Sequence, residues 1–492
     1  MLNKDSAQNI PLSLPKARDH YFDGKWQQPS DGIYIESINP ATGEVLGHYA
    51  DGSVEDVDAA VASAAKAFPE WSKTPPLERA KILRKAAEIL RKHGPELAMI
   101  DAADCGNPIK EMLGDAAIAA AQIDFFAGLV TEMKGSSIPM GPNAVNFSVR
   151  EPYGVVGRII PFNHPFMFCG GKSAAPLAAG NTIVVKPPEQ APLSALRFAE
   201  LVDGVFPPGV FNVVLGGMIV GAALASHPKV DKIALIGSVP TGRAVMKAAS
   251  GTVKSVMLEL GGKNALIAYP DADPVEVATA LVGGMNFTWC GQSCGSTSRA
   301  FVHENIYEAV LDLVKVKIKA FRPGIPTDMS TTMGAIVSRQ QFDRVMSYIE
   351  IGKTEGARLL TGGTRPDDPE LANGYFVNPT VFADVTPSMR IANEEIFGPI
   401  VGVLKWSDEE GMINQVNAVD YGLTCSIWTN DLKTAHRTAS RVRVGYIWVN
   451  EVSKHFLGAP FGGYKQSGIG REECLEELIS FTQEKNIHIS LR

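Results

Sequence analysis

Apolar residues recur at i, i+3 and i+4 spacing over 54–68 (VEDVDAAVASAAKAF) and again over 77–91 (LERAKILRKAAEILR), with charged residues opposite. That period predicts two amphipathic helices lying on a packed body. From Val145 the pattern changes. VNFSVREP alternates, as a half-exposed antiparallel ribbon does, whereas VVGRII (155–160), NTIVV (181–185), VFNVV (210–214) and DKIALI (231–236) are short continuous apolar runs. Such runs suit parallel strands buried on both faces. Helical stretches at 192–203, 219–226 and 239–249 separate them, and a second strand and helix series runs from Ala265 to about Pro460. The pattern therefore predicts repeated βαβ units around parallel sheets.

The chain has 492 residues, 45% hydrophobic and 20% charged. At roughly 150 residues per domain this is about three globular domains' worth of material. A net charge of −7 and no run of Lys and Arg speak against a nucleic-acid partner, which calls for a basic face. No stretch is long and apolar enough to span a bilayer, and MLNKDSAQNI has no apolar core of a signal peptide. The expectation is therefore a cytoplasmic protein with no membrane partner. Six cysteines, at 105, 169, 290, 294, 425 and 474, are too scattered for a disulfide framework or a zinc site and should be reduced thiols. HExxH and GxGxxG are absent, so no metal site is expected.

Four stretches carry candidate chemistry. GSVPTG (237–242) lies between a buried strand and a helix, where it is either a strand-to-helix turn or a phosphate cradle at a helix N-terminus. Cys294 lies among glycines and serines in GQSCGSTS. A free cysteine is commonly a small buried hydrophobe, yet glycines on both sides admit a close ligand. Glu259 interrupts the apolar run MLEL before Gly261 and Gly262. It is either an edge-strand carboxylate facing water or a desolvated general base of raised pKa. Asn163 in IIPFNHPF follows directly on a strand. Its amide can cap the next helix or donate to an oxyanion, and the residues alone do not choose.

Together these stretches resemble the aldehyde dehydrogenase family, from about Tyr21 to the C-terminus. Seven motifs stand in the family's order: PFNHP, VVKPPEQAP, ALIGSVPTG, LELGGKN, GQSC, EEIFGPI and PFGGYKQSGIGRE. The resemblance implies two Rossmann-like α/β domains and an antiparallel β oligomerisation arm. The cofactor-binding domain would comprise 1–133 and 153–261, the catalytic domain 262–466, and the arm 134–152 with 467–492. It also implies a homodimer or homotetramer, since the alternating NIHISL strand leaves an edge for a second copy.

The activity implied is NAD(P)+-dependent oxidation of an aldehyde to its acid. Cys294 would be the nucleophile, its thiolate favoured by positive nicotinamide and nearby helix amides; Asn163 would hold the oxyanion and Glu259 activate water. Lys172 and Glu472 match positions that pass protons away from the base. Lys186 and Glu189 would hold the adenosine ribose, Gly237 and Ser238 a phosphate, and Glu395 with Phe397 the nicotinamide side. NAD is expected over NADP because of Glu189. Substrate would be lined by His164, Met167, Phe168, Trp289, His455 and Phe456. Phe162 stands where Trp is common, His164 where an aromatic is usual, and Gly170-Gly171 where bulk is common, so a roomy aromatic tunnel is expected. It suits an aromatic or medium-length apolar aldehyde. The alternatives are a semialdehyde dehydrogenase, with Lys454 close in sequence, and a cofactor-independent cysteine thioester hydrolase.

Overall fold

The structure, a computed structural model, describes residues 10–491. Its first sheet has eight strands, and the five inner ones run parallel in the order Phe211–Val213, Thr182–Lys186, Val155–Ile159, Lys232–Gly237, Ser255–Leu260. The apolar runs thus form a buried parallel sheet. Consecutive strands diverge on either side of Val155–Ile159, so the order reverses there. An open parallel sheet binds ligands beyond the C-terminal ends of its strands at such a switch point. Register places Ile159 beside Lys186 and Leu235, and Ile236 beside Glu259, which brings those ends to one rim.

Helix α1 (Val54–Lys73) is capped by a reciprocal Ser53–Asp56 box and seats Val57, Ala60, Val61 and Ala64 on this sheet. Next follow α2 (Pro76–Asp104) and α3 (Ile109–Gly128). The two approach so closely that a Cβ on Gly94 would lie 2.7 Å from the Ala116 methyl. A short helix α4 (Pro165–Gly171) follows the central strand.

The second sheet has seven strands, six of them parallel, with Arg299–His303 and Ala265–Ala268 at its centre. It has its own apolar core. The two sheets account for the two α/β units expected, joined by the short link 261–264.

The C-terminal segment behaves differently from the expected division at 467. Gly468–Ile469 pairs antiparallel with Ser255–Leu260, and the helix Leu475–Ser480 seats Leu478 in the first core. The ribbon begins only at Thr482, where Thr482–Ser490 pairs along its full length with Ala144–Pro152. The chain thus returns to its first sheet before the arm. No helix of the described residues is long and apolar enough to cross a membrane.

Candidate active site

The central strand Val155–Ile159 runs into PFNHP, where Pro165 opens α4 with no side-chain cap. Asn163 is therefore not a capping residue. Its backbone carbonyl accepts from Asn107 Nδ2 at 2.7 Å, while its side chain, 4% exposed, faces a cavity of about 310 Å³. Glu259 is the penultimate residue of its strand and lies opposite Gly468. The returning segment covers this edge, so Glu259 is buried and Oε1 has no hydrogen-bond partner. Burial first, then the nearby Glu472 carboxylate, pushes its pKa up to about 8. The water-facing reading of Glu259 does not hold.

Cys294 enters the same cavity from the second unit. Left-handed backbone at Asn286, Cys290 and Gly291 turns the chain back, a conformation in which glycine and asparagine are at ease. Asn264 Nδ2 donates to the Cys294 carbonyl at 2.6 Å and to that of Ser296 at 3.0 Å, fixing the loop to the rim. The Cys294 N–H makes no hydrogen bond among the described residues. Of the six thiols Cys294 alone is partly exposed. Burial, and then the Glu259 carboxylate beside it, pushes the thiol well above its ordinary range. Two acids thus share one pocket, and each opposes ionisation of the other.

Deeper along the cavity, Glu472 lies between two cations, 2.7 Å from Arg158 Nη2 and 2.8 Å from Lys172 Nζ, and Glu473 is 3.5 Å from the same Lys172. Burial works against the charge of Glu472, but Lys172 and Arg158 outweigh it and hold the carboxyl below its usual range. His164, Met167, Phe168, Trp289 and His455 all reach the wall. Phe456 does not: it is 59% exposed, and Leu457 takes the place expected for it. The glycine pair also acts otherwise than expected. Gly170 faces Leu90 in the core, and the space at Gly171 is filled by Gln122, whose Oε1 would lie 2.1 Å from an added Cβ. Lys454 pairs with Glu451 at 2.7 Å and is not on the wall. Asp115, Gln122, Ser293 and Glu473 line the cavity without having been singled out in the sequence.

A second, smaller cleft shares Ser293 with the first and holds Glu395 and Phe397. Glu395 accepts from the Gly262 N–H at 3.0 Å, and burial raises its pKa to about 7. A Cβ on Gly261 would meet this carboxylate at 2.0 Å. At the rim, Lys186 ends its strand, and burial lowers its pKa to about 8 although Glu189 opposes the shift. The Glu189 carboxylate lies where a Cβ on Gly217 would stand 2.3 Å away. Gly237 closes the next strand, and the Ser238 hydroxyl caps the helix Val239–Ser250 by accepting from the Thr241 N–H. Among the described residues no cluster of three or more His, Cys, Asp or Glu is arranged to hold a metal.

The sequence profile of the aldehyde dehydrogenase family matches residues 26–487. The chain is 52% identical over 490 residues to aldehyde dehydrogenase tropH of Talaromyces stipitatus, covering 98% of this chain and 95% of that one. It is 41% identical to a betaine aldehyde dehydrogenase of Rhizobium etli, covering 97% and 98%. Among solved structures, the NAD+ complex of an aldehyde dehydrogenase from Bacillus cereus superposes with a TM-score of 0.93 at 38% identity, over 100% of this chain and 99% of that one. With a partly exposed cysteine, a buried glutamate and a non-capping asparagine on one cavity, the chain belongs to the aldehyde dehydrogenase family and is an oxidoreductase of that kind.

Proposed function

We propose that the protein oxidises an aromatic or medium-length apolar aldehyde to the free acid with NAD(P)+, through a thiohemiacetal and a thioester on Cys294. The observation that carries this reading is the convergence of Cys294, Glu259 and Asn163 on one cavity. The rim fits the cofactor: Lys186 makes no hydrogen bond there and Glu189 stands beside it, while the missing side chains of Gly217 and Gly261 let the Glu189 and Glu395 carboxylates sit against the backbone. Lys186 and Glu189 would hold the ribose, the helix start at Gly237 and Ser238 a phosphate, and Glu395 with Phe397 the nicotinamide end. Bound cofactor supplies the acceptor for the hydride that leaves the carbonyl carbon.

The chain's own residues do the rest. Cys294 Sγ bonds to the carbonyl carbon as its proton passes to Glu259, the nearest base. The oxygen takes the negative charge and is held by the Asn163 amide and the Cys294 N–H. After hydride leaves, the carbon is a thioester. Once Glu259 has passed the thiol proton on, it takes a proton from water, the hydroxyl adds to the thioester, and the carbon–sulfur bond breaks, the sulfur taking the proton from Glu259, to give the acid and a restored thiol. Glu472 and Lys172 are placed to carry protons away from the base. A thioester hydrolase without cofactor leaves the rim residues without a task. A second copy would pair along the open outer edge of Thr482–Ser490, giving a homodimer or homotetramer.

The test is reduced-cofactor formation across aliphatic, aromatic and semialdehyde substrates, read as kcat/KM; no turnover of any aldehyde would end this reading. Asn163→Ala is expected to lower kcat about 10²- to 10³-fold, the usual effect of losing one oxyanion donor, with an unaltered circular dichroism spectrum. A loss below threefold on the same assay would remove that role. NAD should exceed NADP by about tenfold in kcat/KM, because a carboxylate at 189 repels a 2′-phosphate. Equal values for the two cofactors would refute the part given to Glu189.

A further inference from the structure

The wall of the cavity carries three polar side chains that the aldehyde chemistry does not use. Asp115 and Gln122 lie seven residues apart on α3, hence two turns apart on one face, and both are buried, at 3% and 2% exposure. His164, next to the oxyanion residue, bonds through Nδ1 to Asp115 Oδ2 at 2.7 Å. Its ring is held edge-on between Phe168 and Trp289, with centroids 5.6 and 5.1 Å away. A carboxylate on Nδ1 fixes a proton there, and in that tautomer Nε2 is the acceptor of a ring that lines the cavity. Gln122 Oε1 is buried with no partner. Asp115 Oδ2 is already taken by His164 and Gln122 Oε1 is packed against Gly171, so the acceptor that awaits a donor is His164 Nε2.

We infer that the tunnel selects an aldehyde bearing a ring hydroxyl, which donates to His164 Nε2 while its ring lies against Phe168 and Trp289. The inference rests on the aldehyde-oxidising reading above and names its substrate class. A carboxylate-tailed aldehyde fits worse. Asp115, Glu259, Glu472 and Glu473 line the cavity, and its one lysine, Lys172, is already paired with two of them. A quaternary ammonium has no N–H to give and would leave that acceptor unpaired. Asp115 and His164 are thus specificity-determining residues, Asp115 acting through the tautomer it imposes.

The experiment compares kcat/KM for benzaldehyde, the three monohydroxybenzaldehydes, succinic semialdehyde and betaine aldehyde with the intact enzyme, His164→Phe and Asp115→Asn. The best hydroxybenzaldehyde should exceed benzaldehyde about tenfold or more, since a site built around a hydroxyl discriminates against the analogue lacking it. That ratio should fall toward unity in both variants, because phenylalanine removes the acceptor and asparagine releases the tautomer. A merely structural role would lower both substrates together and leave the ratio in place. A ratio near unity in the intact enzyme overturns the inference while leaving aldehyde oxidation standing. So does a ratio that survives both variants, or a preference for succinic semialdehyde or betaine aldehyde. Failure to oxidise any of the six would instead sink the aldehyde-oxidising reading, and the inference with it.

Discussion

Cys294→Ser is expected to abolish aldehyde oxidation, with a fall in kcat of about 10⁴-fold or more, as when an activated nucleophile is removed. A hydroxyl in place of the thiol keeps nearly the same volume beside Glu259, so the fold and the cofactor rim should be untouched. What is lost is a nucleophile that ionises many orders of magnitude more readily than an alcohol. The effect is specific to this thiol. Cys290 is only four residues away but is buried in the second core, and burial drives its pKa up. Cys290→Ser should therefore retain activity to within a few-fold. Binding of NAD, followed by quenching of intrinsic fluorescence, should persist in both variants. Cys290→Ser as inactive as Cys294→Ser would overturn the assignment.

Glu259→Gln should separate the two halves of the reaction. Glutamine keeps the shape and removes the base. Acylation tolerates this in part, because the Glu259 carboxylate is one of the groups that raise the Cys294 thiol, and its loss lets that thiol ionise more easily. Hydrolysis has no such relief: water needs a base far more than a thiol does, and its loss typically costs about 10²- to 10⁴-fold. Mixing the variant with NAD and aldehyde should give a burst of about one equivalent of NADH per active subunit, then a much slower steady rate. Undiminished steady turnover would rule the hydrolytic role out, as would acyl-CoA being the main product of the unaltered enzyme when coenzyme A is present. The pH profile gives a second reading. With Glu259 at about 8, the carboxyl is protonated and unable to act as base at lower pH. The steady rate of the unaltered enzyme should therefore rise as pH rises through about 8, a limb the glutamine variant lacks.

The elements were legible where burial writes a local pattern. Continuous β-branched runs marked the inner strands of the first sheet, and alternation marked the ribbon at 144–152. Motif order placed Cys294, Glu259 and Asn163 on what proved to be one cavity. The rest depended on contacts distant in sequence. Asp115 and Gln122 occur as isolated polar positions in an alanine-rich helix, with no local pattern to single them out. Only the packing of α3 against α4 turns them inward. The resemblance placed both His455 and Phe456 on the lining, but successive side chains of an extended loop point to different sides, and Phe456 is exposed. The glycine pair implied space, and the space at Gly171 is filled from another helix. The raised thiol could not be inferred either, because it depends on burial by distant segments and then on a carboxylate 35 residues earlier in the chain.

Synthesis from the N-terminus completes the parallel core of the first sheet by Leu260, yet Gly468, Glu472 and Thr482–Ser490 leave the ribosome only after the whole second sheet. Until they arrive, the strand Ser255–Leu260 has an open edge, Arg158 is a buried cation without its carboxylate, and the ribbon strand 144–152 lacks its long partner. The nascent chain must carry this half-finished sheet through the whole synthesis of the second one. Exposed edges and uncompensated charge are what make such intermediates aggregate and what chaperones retain. A premature stop just before residue 467 should accordingly yield insoluble protein in place of a shortened enzyme.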